Sequence, residues 1–161
     1  MKIRSIWEHK QYLDTLFAKG DQINYKINKG EIKSTELLSH WSRYLCVLVS
    51  GWIEVSVRSI FREYIKKRSS KELERYALNK LKMRSAYMKN IIDLSSQFSV
   101  EMSQALQLAT DGPIEDAVNT IVGNRHKIAH GGTCDISYVR LRDYYADVVK
   151  AIQLLEEQCL T

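Results

Sequence analysis

Apolar positions along this chain recur mostly at intervals of three and four, the period of a helix face. Leu13, Leu16, Phe17, Ile23 and Ile27 predict a first helix over about Ile6–Ile27, with Gly20 as a weak point and Asn28-Lys29-Gly30 as its end. Ser34 reads as the N-cap of a long second helix reaching about Lys67. Trp41, Leu45, Leu48, Trp52 and Val55 form one apolar stripe on it, and Ile53, Val57, Ile60 and Tyr64 form a second beside the first. Two stripes mean burial on more than one side, so this helix is expected at the centre of the fold.

Further along, Ser69-Ser70-Lys71-Glu72 has the Ser-x-x-Glu form of a capping box and predicts a shorter helix to about Lys82. Ser85 and Ser99 are read as caps of helices near Ala86–Phe98 and Val100–Thr110. Asp111-Gly112-Pro113 opens another, because Pro suits the first helical position and Glu115 and Asp116 then meet the positive end of the helix dipole. That helix should run to about Ala129 and stop at Gly131-Gly132. The last starts near Ser137, with Tyr138, Leu141, Tyr145, Val148, Ile152 and Leu155 in a stripe of alternating threes and fours. The pattern predicts an all-α fold, an antiparallel bundle of about four long helices plus short connectors. Seven Gly and one Pro in 161 residues fit long helices better than a turn-rich β architecture. With no repeat or linker, residues 1–161 read as a single domain.

Composition adds limits. Apolar residues at 45% and charged residues at 27% are ordinary for a globular, soluble protein. A net charge of +5 is compatible with an anionic partner but does not demand one. Cys46, Cys134 and Cys159 show no paired spacing, which argues against a disulfide framework or zinc ribbon and for a reducing cytoplasm. Cys46, in an apolar stretch, is expected to behave as a small hydrophobe. The N-terminus turns charged too soon for a signal peptide, and no apolar run approaches the roughly 20 residues of a membrane span. No membrane association is expected.

Chemistry concentrates in Val122-Gly123-Asn124-Arg125-His126-Lys127-Ile128-Ala129-His130-Gly131-Gly132. Three readings are open. Cations in the last helical turn complement the helix dipole, a purely structural role. His126 and His130, four apart, could share a metal with Cys134 as a third ligand, although no second ligand cluster accompanies them. In the third reading the segment cleaves RNA, whose 2′-hydroxyl is a built-in nucleophile. Histidine can move protons near neutral pH, and the fork of an arginine matches two phosphate oxygens. Arg125 and His130 are five apart, about 140° around an ideal helix, so they converge only if the helix ends before His130.

Arg125 and His130 match the Arg-x4–6-His signature of HEPN domains, where a polar residue, here His126, follows the Arg. Leu48-Val49-Ser50-Gly51-Trp52-Ile53-Glu54, Asn119 through Gly131, and Leu141-Arg142-Asp143-Tyr144-Tyr145 resemble the RiboL-PSP-HEPN subfamily, over roughly Leu37–Cys159. The resemblance implies a metal-independent endoribonuclease without a cofactor, a homodimer with two motifs facing one cleft, and a toxin or effector in a defence or toxin–antitoxin system. An antitoxin or defence protein is then an expected partner beside the RNA substrate. In a related HEPN group a Tyr two residues after the His is modified by a partner enzyme; Gly132 stands there, so this control is not expected. Arg125 and His130 are the expected catalytic pair, with His126, Asn124 and Glu54 in support and Lys127, Arg140 and Arg142 as RNA-binding cations. Tyr144 and Tyr145 could stack on bases, Tyr145 being better explained as core, and the basic run Arg62, Lys66, Lys67 and Arg68 reads as a solvated helix end. The alternative is a non-catalytic HEPN module that binds a partner protein or a nucleotide.

Overall fold

A computed structural model describes residues 2–161; Met1, the first residue of the expected domain, lies outside the described residues. Among those residues every element is a helix: α1 (Arg4–Asn28), α2 (Glu36–Arg68), α3 (Lys71–Lys80), α4 (Met88–Ser96), α5 (Val100–Thr110), α6 (Pro113–Ala129) and α7 (Tyr138–Leu160). Four are long and three are short connectors, as the periodicity predicts.

α2 is the pillar. It packs against α1, α3, α6 and α7, while α6 and α7 also pack on each other. Leu45, Val49, Trp52, Ile53, Val57, Ile60 and Phe61 are wholly buried along it. Burial of a side chain of this size stabilises by about 1.5–3 kcal/mol. The first expected stripe needs correction: Val55 is 51% exposed, and Trp41 and Leu48 are only half-buried. The buried face instead turns through Ser42, Cys46, Val49, Ser50 and Ser56, whose small side chains suit close packing. By length and mean hydropathy α2 could cross a membrane, contrary to the expectation that no segment would; 56% of the apolar window is buried inside the fold.

Polar tips of core aromatics fasten α1 to its neighbours. Trp52 Nε1 donates to the Ile6 carbonyl (3.1 Å), Trp41 Nε1 to that of Leu16 (3.1 Å) and Tyr145 Oη to Asp14 (2.8 Å). Phe17 stacks on Tyr145 with ring centroids 4.3 Å apart. The buried Glu156 carboxylate accepts from the Ile3 and Trp7 N–H groups, tying the start of α1 to α7. Gly20, a weak point by propensity alone, is buried because Tyr138 lies across it: a Cβ there would come within 2.5 Å of that ring.

The caps divide into local and tertiary ones. Ser99 and Ser137 accept the Met102 and Arg140 N–H groups as expected, and Pro113 opens α6 with Glu115 and Asp116 in its first turn. Ser34 Oγ accepts the Glu36 N–H, but the N-cap of α2 is Thr35, one position later than the expected Ser34. Two further expectations fail. Ser70, not Ser69, caps α3, because the Ser69 hydroxyl donates back to the Ile65 carbonyl of α2. Ser85 does not cap α4; it accepts from Asn90, and the free Met88 N–H is taken by Asn119 Oδ1 of α6 at 2.9 Å.

Candidate functional site

The motif occupies the last two turns of α6. Ala117, Val118, Ile121, Val122 and Asn124 face the core, which leaves Arg125 and His126 half-exposed and Lys127 and His130 exposed. Gly131 adopts φ +79°, a left-handed conformation that closes the helix at low steric cost. The Gly131 N–H then reaches the Ile128 carbonyl (3.0 Å) and the Gly132 N–H that of Lys127 (2.7 Å), the double closure of a Schellman turn. A Cβ on Gly132 would fall 2.9 Å from the Lys127 carbonyl oxygen, so both glycines have a geometric reason. His130 is held in solvent at the rim of this turn.

The following loop is braced from three sides. Asn124, buried, donates to the Thr120 carbonyl and accepts the Asp135 N–H (3.0 Å), so its contribution is to hold the loop against α6. Lys127 pairs with Asp135 at 2.8 Å, which raises the lysine's pKa and lowers the carboxylate's. Arg43 of α2 donates to the Gly132 carbonyl at 3.4 Å. Cys134 lies beside Cys46: that contact, helped by the Ile136 backbone and the Arg43 charge, brings its pKa down to about 6 against the opposing effects of burial and of the Asp135 charge. The same contact, together with burial, pushes Cys46 strongly upward. On the other flank Tyr87 stacks on His126, centroids 5.8 Å apart and planes at 13°.

The expected cations differ in their commitments. Lys127 is held by Asp135, Arg142 pairs with Asp21 of α1 (3.2 Å) over the Phe17 ring, and Arg140 lies over Tyr144 at 4.7 Å. Arg125 has no hydrogen-bond or ion-pair partner among the described residues. Glu54 is half-buried on α2, and no ion pair joins it to Arg125 among those residues. Nor are Arg125 and His130 brought together: α6 stays helical to Ala129, and His130 departs from it only at φ −96°, ψ 18°. Within one chain the pair therefore keeps most of its offset around the helix axis. No three His, Cys, Asp or Glu side chains converge as a metal site among the described residues.

Sequence reasoning missed Tyr87 and Arg43, which reach the motif from elements 39 and 89 positions away from their partners and carry no local signal. Asp135, an acid just beyond the glycines, could have been found as the partner of Lys127. An all-α bundle with an Arg-x4-His segment ending one of its long helices is the arrangement of a HEPN-type domain. The RiboL-PSP-HEPN family model matches residues 14–161, and the chain belongs to that family. The match begins well before the Leu37 at which the resemblance was read. No curated protein and no solved structure matches the chain. Membership is consistent with a nuclease or with a module that binds nucleotides or proteins.

Proposed function

We propose that the chain is a metal-independent endoribonuclease that works as a homodimer. One observation carries this reading: Arg125 is an unneutralised guanidinium in the last turns of α6, on the helix that ends at the exposed His130, while the nearby Lys127 and the α7 cations Arg140 and Arg142 already have intramolecular partners. In the reaction a 2′-hydroxyl loses its proton and its oxygen attacks the adjacent phosphorus. The P–O5′ bond breaks, leaving a 2′,3′-cyclic phosphate and a 5′-hydroxyl. Arg125 binds the non-bridging oxygens, where charge grows, and His130 accepts or returns the proton. His126 lies next to the phosphate position, held by Tyr87. The offset between Arg125 and His130 favours a composite site, in which a two-fold axis sets the Arg125 of one copy near the His130 of the other. The family resemblance supports a role as toxin or effector under the control of an antitoxin or defence partner, which we place in the cytoplasm.

Purified protein in EDTA should convert RNA to cyclic-phosphate ends, read by mass spectrometry. Light scattering should give about twice the 18.7 kDa chain mass. Mixed Arg125→Ala and His130→Ala subunits should regain part of the cleavage if the site is shared. Activity that requires added zinc or magnesium, or full activity in a strict monomer, contradicts the respective half of the proposal.

A further inference from the structure

Residues 58–89 hold 11 of the chain's 24 Lys and Arg but only three of its 19 Asp and Glu. This fifth of the chain is net +8, and the remainder is net −3. The excess positive charge of the protein therefore belongs to one flank: the C-terminal half of α2, all of α3, the 81–87 connection and the start of α4. All eleven cations are exposed. Lys66 pairs with Glu63, and Arg68 and Lys80 lie over Tyr64 and Tyr76. Arg58, Arg62, Lys71, Arg75, Lys82 and Arg84 have no acidic partner among the described residues.

Helix-end electrostatics accounts for Lys66, Lys67 and Arg68 in the last turn of α2 and for little else. Arg58 and Arg62 lie in the body of that helix, one turn apart on one ridge, and Lys82 and Arg84 lie in irregular chain. Nor does core packing account for α3. It buries no residue, and it exposes Leu73 and Tyr76 by 61% and 64%.

The flank is continuous with the motif. Arg58 lines a crevice with Leu81 and Met83, so the α2 ridge meets the connection there. Lys82 and Arg84 line the adjoining concavity with Asn90 and with Asp93, its one carboxylate. The connection ends at Tyr87 on the His126 ring, and Asn119 of α6 pins the next residue. Arg84 is three residues from Tyr87, at most about 11 Å of extended chain.

We infer that this flank is the RNA-binding track of the protein. The RNA backbone passes from the motif across Tyr87 to Arg84 and Lys82, then to Arg58, Arg62 and the α3 cations Lys71 and Arg75. The inference rests on the nuclease reading for the site that the track feeds. RNA is the partner favoured by a long, unneutralised, solvent-facing row of cations leading to an arginine–histidine centre with an aromatic beside it.

The test measures binding of a fluorescent 20-nucleotide single-stranded RNA to His130→Ala protein by anisotropy, across a potassium chloride series. Lys82→Glu with Arg84→Glu should weaken binding at least tenfold and reduce the salt slope by about 1.4, since each lost phosphate contact removes about 0.7 for a single strand. Lys19→Glu with Lys26→Glu on α1 makes the same change in net charge and should leave binding within about twofold, because only contacting cations release counterions. All four positions are exposed, so circular dichroism should show unchanged helicity. Equal weakening by both pairs would reduce the effect to bulk charge and overturn the track. So would unchanged RNA binding, including the case in which the flank pair loses affinity only for phosphatidylserine vesicles. The two proposals fail separately. Flank-dependent binding without cleavage by the unsubstituted protein removes the nuclease reading and leaves the track. Cleavage of long RNA with unchanged KM by the flank pair does the reverse.

Discussion

The end of α6 and the flank around α3 are both rich in cations, yet they are built in opposite ways. At the end of α6 the backbone is closed by a double hydrogen-bonded turn, the loop is tied back by Asn124, and Lys127 is paired. Around α3 the cations are exposed and largely unpaired, and the helix itself contributes no buried side chain. Positioning a phosphate for in-line attack needs groups held to within a fraction of an ångström, so a catalytic end spends its polar groups on bracing. Attracting a polyanion needs only charge density and reach, which braced pairs would cancel.

Substitution should separate the two regions. The largest effect is expected at the motif: Arg125→Ala or His130→Ala should each lower the cleavage rate by about 10²–10⁴, the range of a lost proton-transfer or charge-stabilising group. Melting temperature should barely move, since neither side chain has a hydrogen-bond or ion-pair partner among the described residues. His126→Ala should cost less. Unfolding of either of the first two variants would mean that the motif serves as a cap.

Next comes the brace. Asn124→Ala removes the acceptor of the part-buried Asp135 N–H and should cost about 0.5–1.5 kcal/mol, at roughly 2–4 °C in melting temperature for each kcal/mol. An unchanged melting curve would show that the loop holds without it. The braced loop also has a pH signature. With its pKa near 6, Cys134 is half thiolate there and becomes more so as pH rises. Because the thiolate is the nucleophile, iodoacetamide labelling of Cys134 should climb through pH 6 and level off by about pH 7. Peptide mass spectrometry should find Cys46 and Cys159, buried and with raised pKa values, unlabelled in native protein. A Cys134 rate still climbing between pH 8 and 9 would mean that the Cys46 contact is absent in solution. The smallest effect belongs to α3, where Leu73→Ser with Tyr76→Ser should change stability by no more than about 0.5 kcal/mol per site. A large loss in urea unfolding would make α3 a structural element and remove the contrast between the regions.

Much of the architecture was legible in the sequence, because the forces that set it act within a few residues. A buried stripe repeats with the helix period, and all six predicted stripe residues of α7 are buried. Ser99, Pro113, Gly131 and Ser137 mark helix ends by satisfying or relieving free backbone groups in the adjacent turn. The family resemblance was legible for the same reason, since its motif is one contiguous segment.

What the sequence could not decide is which of several equally capable groups meets which. Ser69, Ser85 and Ser99 look alike as caps, but only Ser99 serves as one; α2 and α4 supply the other two hydroxyls with different partners. Val55 fits the apolar stripe of α2 as well as Leu45 does, and only the directions from which α1, α6 and α7 approach leave it outside. Lys127, Arg140 and Arg142 read alike as free cations until the fold brings Asp135, Tyr144 and Asp21 to them and leaves Arg125 unpaired. Tyr87 reaches His126 only because α4 docks on α6 through Asn119. Period and capping are properties of a short stretch of backbone, so the chain carries them wherever it lies. Pairing across tens of residues depends on how whole helices pack, and that is settled only when the shared core closes.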